Sequence, residues 1–203
     1  MGFLRKMFGP RKEEVWRKLC DEVGADFVKG GFWKGDKVVA RVEEWAITLD
    51  TYTQSSGKHS TTYTRMRAPY VNKDGFRFGI YRKGFLSGLG KKLGMQDIEV
   101  GYAEFDRDFI IKGNDESKVR ALCANPRIRE LIKAQPSIHF QVKDDEGWFR
   151  KSFPEGVDEL HFQVTGVIKD IERLKSLYEL FAVTLNHLCQ VGSAYEDDPN
   201  MTL

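Results

Sequence analysis

The sequence predicts an α+β fold, a mostly antiparallel sheet packed against N-terminal, central and C-terminal helices. Three observations carry this. Residues 26–83 break into short alternating runs punctuated by Gly, Asp and Lys, which is strand and turn patterning. Ile171, Leu174, Tyr178, Phe181, Leu185 and Leu188 recur at three- and four-residue steps, the stripe of an amphipathic helix. The 203 residues are 41% hydrophobic and 31% charged, a composition that packs a core.

The elements follow in order. Pro10 opens a helix through about Val23, with Val15, Trp16, Leu19 and Cys20 at helical spacing and Gly24 as its stop. Strands are predicted near 27–33, 36–42, 45–54, 60–69 and 76–82. Gly35-Asp36 and Asp74-Gly75 supply turn chemistry, and residues 55–58 form a polar loop. Trp45, Ile47 and Leu49 alternate with polar neighbours and face the core, as do Phe76, Phe78 and Ile80. The glycine- and lysine-rich stretch 84–96 reads as a connection. The chain is therefore expected to be one domain with two sub-halves: 10–83, a helix and an antiparallel meander, and 97–192, strand, helix, strands, helix.

In the second half, Phe105 to Lys112 reads as a strand, with Phe105 and Phe109 on one face and Asp106 and Asp108 on the other. Asn114 is read as the N-cap of a helix through about Ala124. Pro126 restarts a helix that ends before Pro136. Strands follow at 138–142, 147–153 and 159–165, and Asp170 caps the long last helix. The segment 105–126 carries Phe105, Asp106, Phe109, Asp115 and Pro126 in a pattern that resembles an uncharacterised bacterial domain-of-unknown-function family. The resemblance implies a bacterial-type protein and brings no known activity. Members of that family often carry membrane helices ahead of the soluble part, whereas no apolar run here reaches the roughly 18 residues a span needs.

Cys20, Cys123 and Cys189 are odd in number and far apart, with no CxxC pair, which argues against a disulfide scaffold or a zinc ribbon. A phosphate loop ending at Lys91 would need Gly at 85 and Ser or Thr at 92, where Phe85 and Lys92 stand. Asp144, Asp145 and Glu146 lack the spread of ligands of a calcium loop. No cofactor and no metal site is expected. Net charge is +2, split as +7 over residues 1–100 and −5 over the rest.

Three features remain. His139 and His161 fall on the polar faces of their strands, and neighbouring strands would bring them together, with Glu159 beside them. Left apart, they are solvent-facing strand histidines; His59 belongs to a loop and His187 to the surface of the last helix. Tyr63, Arg65 and Arg67 share one strand face, as do Arg77, Tyr81 and Lys83. If those two strands pair, an anion or single-stranded nucleic acid would find cations beside aromatics, although such residues are equally ordinary on an exposed sheet. Residues 1–12 combine Phe3, Leu4, Met7 and Phe8 with Arg5, Lys6, Arg11 and Lys12, a head suited to a protein partner or an anionic membrane surface. The last helix could also serve a homodimer. The leading expectation is a cytoplasmic, non-catalytic binding or accessory protein, at the inner membrane face if its head binds there. The alternatives are an enzyme built around His139 and His161, and a nucleic-acid binder; nucleic acid is the less favoured partner.

Overall fold

The computed structural model describes residues 10–31, 35–84, 96–144, 153–195, 199 and 203. These form five helices and one ten-stranded sheet in which every pairing is antiparallel. Helix α1 (Lys12–Val23) leads into β1 (Asp26–Val28), β2 (Lys37–Val42), β3 (Trp45–Ser56), β4 (His59–Asn72), β5 (Phe78–Arg82) and β6 (Gln96–Asp97). Then come α2 (Ala103–Asp108), β7 (Phe109–Gly113), α3 (Glu116–Ala124), α4 (Pro126–Lys133), β8 (His139–Lys143), β9 (Val157–Thr165), α5 (Ile171–Gln190) and β10 (Ala194–Tyr195). This is the α+β class that the alternating runs and the helical stripe predict. The predicted strand at 147–153 and the loop 84–96 fall mostly outside the described residues.

The strand order is β1-β2-β3-β4-β9-β8-β5-β7-β6, with β10 against β4. Strands β9 and β8 thus stand between β4 and β5, so the two sequence halves interleave in one sheet. Helix α1 ends where Gly24 adopts φ 66° and its N–H returns to Cys20 O, a conformation that glycine takes without steric cost. Asp170 receives the Arg173 N–H at the start of α5, and Asn125 receives the N–H groups of Arg127 and Ile128 behind Pro126. Leu174, Phe181, Leu185 and Leu188 are fully buried, and Phe181 packs on Phe140 of β8 with ring centroids 5.6 Å apart. Across the sheet Phe140 continues into Phe162, Met66 and Leu49 by register, and this row is the helix side of the sheet. Trp16 is fully buried and its indole N–H donates to Ile168 O at 3.3 Å, tying α1 to the approach of α5.

Two local readings are corrected. Phe105 belongs to a short helix, not to a strand, and β7 begins only at Phe109. A spacing of four residues puts two side chains on one face of a strand and equally on one face of a helix, so the Phe105–Phe109 contact, at 4.7 Å, survives the change. Asp106 explains the helix: its carboxylate accepts the Val100 and Gly101 N–H groups and closes the turn that leads in. The N-cap of α3 is Asp115, which receives Lys118 N–H at 3.1 Å. Asn114 instead bridges the 74–77 turn, donating to Gly75 O and accepting from Arg77 N.

Candidate functional site

The face of the sheet opposite the α5 packing is polar, and register builds it row by row. One row runs Gly79, Gln141, His161, Arg67, Thr48. The flanking rows hold Tyr81 opposite His139, Gln163 opposite Arg65 and Asp50, and Lys143 opposite Glu159. These alternate with the helix-side row because successive strand side chains point to opposite faces.

The two strand histidines meet. Strands β8 and β9 are neighbours, and the rings of His139 and His161 lie 6.4 Å apart in an edge-on arrangement. Neither is an open surface residue: His161 is only 2% exposed and His139 is half-buried. The reading of both as solvent-facing is corrected, since Arg67, Gln141, Lys143 and Tyr81 crowd the same face. The Lys143 Nζ lies 3.1 Å from His161 Nε2. Burial pushes the His161 ring well below its ordinary pKa, and the positive charges of Lys143, Arg65 and Arg67 act in the same direction. Burial likewise takes His139 down to about 4, with the Gln141 hydrogen bond opposing and Lys143 adding to the fall.

Tyr81 covers this site from β5. Its ring sits 4.6 Å from that of His139, and its hydroxyl donates to Gln141 Oε1 at 3.1 Å. Burial pushes its phenol up to about 12. The ring lies over Gly79, where a Cβ would stand 2.6 Å from the Tyr81 hydroxyl. Glycine is therefore the residue that lets the phenol fold back along its own strand.

The predicted basic-aromatic face divides. Tyr63, Arg65 and Arg67 lie together on β4, but Arg77, Tyr81 and Lys83 belong to the β5 region, beyond β9 and β8, so the assumed pairing of those strands does not occur. The β4 cations are also engaged. Asp50 accepts from Arg65 Nε and Nη2 at 2.8 Å each and from Arg67 Nη2 at 2.7 Å, and Arg67 lies 3.8 Å from Glu159. Burial alone would raise the Asp50 carboxyl, but the two guanidinium groups outweigh it and hold the carboxyl below its usual range. Tyr63 stacks on Tyr52 at 5.2 Å, and Tyr52 donates to Gln163 at 2.7 Å. Arg77 pairs with Asp144 at 2.7 Å and lies 3.5 Å from Asp158. Lys83 is exposed, and its Nζ donates to Asp106 O.

His59 sits at the exposed end of the β3–β4 hairpin, and His187 is half-buried on α5. Cys20 and Cys123 are buried free thiols, and burial takes Cys123 up to about 12. Among the described residues no group of three or more His, Cys, Asp or Glu could hold a metal ion. A cleft of about 440 Å³ lies between the β2–β3 turn and the end of α5, lined by Glu43, Glu44, Asn186, Cys189 and Gln190. Of the apolar-basic head, residues 1–9 fall outside the described residues. Lys12 is turned into the fold, 3.4 Å from Thr51 Oγ1, 3.5 Å from Asp36 and over the Trp16 ring.

Asp50, Lys143 and Gly79 escape a reading of the sequence alone. Taking Gly57-Lys58 as the two-residue turn would place Asp50 opposite Arg65 by counting, a signal that the broader loop at 55–58 obscures.

No protein-family model matches the chain, and no curated protein matches it. Among solved structures, the crystal structure of the mycobacterial trehalose monomycolate transport factor A, TtfA, is similar to it. The TM-score is 0.54 at 8% sequence identity, over 87% of this chain and 94% of that one. At that identity the likeness is one of fold.

Proposed function

We propose that the protein is a non-catalytic binding or accessory protein that works through the polar face of its sheet and the β3–β4 hairpin rising from it. The observation that carries this reading is that the strongest polar groups of the face are tied to one another, Asp50 by Arg65 and Arg67 and His161 by Lys143. Such a network holds a surface rigid, whereas a general base must be within reach of the proton it takes. The fold likeness to a transport factor supports the accessory character of the role; the cargo in that protein's name is not carried over.

No helix of the described residues is long and apolar enough to cross a membrane. A peripheral position at the inner face of the membrane, held by the apolar-basic head, extends the proposal, with Lys12 excluded from the head because the fold already engages it.

The meeting of His139 and His161 favours a second reading, an enzyme centred on the pair. Against it, Lys143 already faces Nε2 of His161, and the nearest carboxylates face arginines.

Site-specific photo-crosslinking tests the first reading. A photoreactive side chain at Gln54 or Thr61, on the hairpin, should give discrete higher-mass adducts in cells. The same group at Arg120 or Glu172, on the helices, should not. Equal labelling at all four positions, or none at any, refutes a sheet-face binding role.

A further inference from the structure

We propose that His139 and His161 form a buried site for an oxyanion, a carboxylate or a tetrahedral sulfate- or phosphate-type group, in the polar face of the sheet. The inference deepens the binding reading above and rests on it. It begins with a tautomer. An ammonium group donates hydrogen bonds and accepts none, so His161 Nε2, 3.1 Å from Lys143 Nζ, is the acceptor. A neutral imidazole then carries its proton on Nδ1. That Nδ1 is buried and has no hydrogen-bond partner, in a residue that is only 2% exposed. A buried N–H without an acceptor is rare, because leaving the bond unmade costs about 1–3 kcal/mol.

The chemistry of the missing acceptor follows from the surroundings. The groups whose charge acts most strongly on His161 are, in order, Lys143 and His139 of β8 and then Arg65 and Arg67 of β4, each positive when protonated. Asp50 of β3 faces both arginines, and Glu159 of β9 lies within 3.8 Å of Arg67. An N–H donor held among cations is completed by a negatively charged oxygen, since hydrogen bonds to an ionised acceptor are roughly twice as strong as neutral ones.

His139 supplies the second contact. Its Nε2 is also buried without a partner. Burial keeps the bare ring neutral above its lowered pKa of about 4, so one of its two nitrogens carries no proton. An arriving anion favours the charged ring and draws a second proton onto it. Binding is then linked to proton uptake and tightens as pH falls, by up to about tenfold per pH unit for one proton. Tyr81, stacked on His139 and fixed by Gln141, closes the site from the β5 side.

Imidazole-detected ¹⁵N NMR of the full chain tests this directly, with His139→Gln and His161→Gln assigning the signals. Acetate and sulfate are the probes, both fully ionised between pH 6 and 7, titrated at constant ionic strength against chloride. The expected result is a saturable shift of the His139 and His161 nitrogens with either probe, tighter at pH 6 than at pH 7 by up to about tenfold, and none at His59. A response to acetate alone identifies a carboxylate site, and one to sulfate alone a tetrahedral one; each supports the proposal. Loss of saturation in His139→Gln, whose ring is only half-buried, adds support without depending on His161→Gln folding. Absence of saturation with both probes overturns it, as do parallel shifts of all four histidines. The crosslinking experiment reads a macromolecular partner and not a small anion, so failure here leaves its outcome intact, and its failure leaves this titration readable.

Discussion

Arg65 grips Asp50 with both arms of its guanidinium group, Nε to Oδ1 and Nη2 to Oδ2, each at 2.8 Å. Arg67 takes the second oxygen as well. All three side chains are less than 15% exposed. Removing one partner of a buried pair costs about 3–5 kcal/mol, because the remaining charge keeps its desolvation penalty. Asp50→Asn is therefore expected to lose about 3 kcal/mol in denaturant unfolding at pH 7. A loss below about 1 kcal/mol would show that the arginines are satisfied without the carboxylate.

Acid should weaken the protein through His139. Its folded pKa, about 4, lies below the ordinary 6.5, so between those values the unfolded chain binds more protons. The stabilisation is fully present above pH 6.5 and is lost as pH falls toward 4. The loss reaches up to about 3 kcal/mol, since each pH unit between the two values is worth about 1.36 kcal/mol. Unfolding free energies at pH 7, 6 and 5 should fall steeply for the native chain and less so for His139→Gln. Matching slopes in the two proteins count against a buried neutral ring.

Gly79→Ala should disturb the site without touching either histidine. The new methyl would meet the Tyr81 hydroxyl at 2.6 Å and its ring carbons at 2.9–3.0 Å. The phenol has to swing out, giving up its bond to Gln141 and its place beside His139. We expect the Tyr81 phenol, held at about 12, to titrate lower in a spectrophotometric alkaline scan. The stability cost should be about 1–3 kcal/mol. An unchanged titration shows that the ring tolerates the methyl.

Trp16 anchors α1, fully buried with its N–H on Ile168 O. Trp16→Ala should cost about 3–5 kcal/mol, and Trp16→Phe less, since most of the buried apolar surface is kept. The ordering of the two variants in thermal melts is the check; equal losses would place the weight of the anchor on the hydrogen bond.

Much of the architecture can be read from residue order because it rests on periodicity. The alternation of Trp45, Ile47 and Leu49 and the stripe from Leu174 to Leu188 each mark a buried face, and even the meeting of His139 and His161 follows once β8 and β9 are taken as neighbours. What periodicity cannot provide is strand order. Tyr63, Arg65 and Arg67 share parity just as Arg77, Tyr81 and Lys83 do, yet β9 and β8 come between them. Parity also says which face a residue takes and not whether that face is open, which is why His161 reads as exposed and is buried. The helix at Ala103–Asp108 is hidden for a related reason: a four-residue step between phenylalanines fits both periods, and the deciding Asp106 bonds are to backbone N–H groups.

The interleaved strand order also bears on how the chain comes off the ribosome. Strand β4 is complete at Asn72, but its neighbour β9 starts only at Val157. At roughly 5–20 residues per second, the far side of β4 stands without its partner for several seconds of synthesis. An unpaired edge of that length is a template for any other extended chain nearby, so the nascent protein is most exposed to misassembly in the interval before its second half emerges.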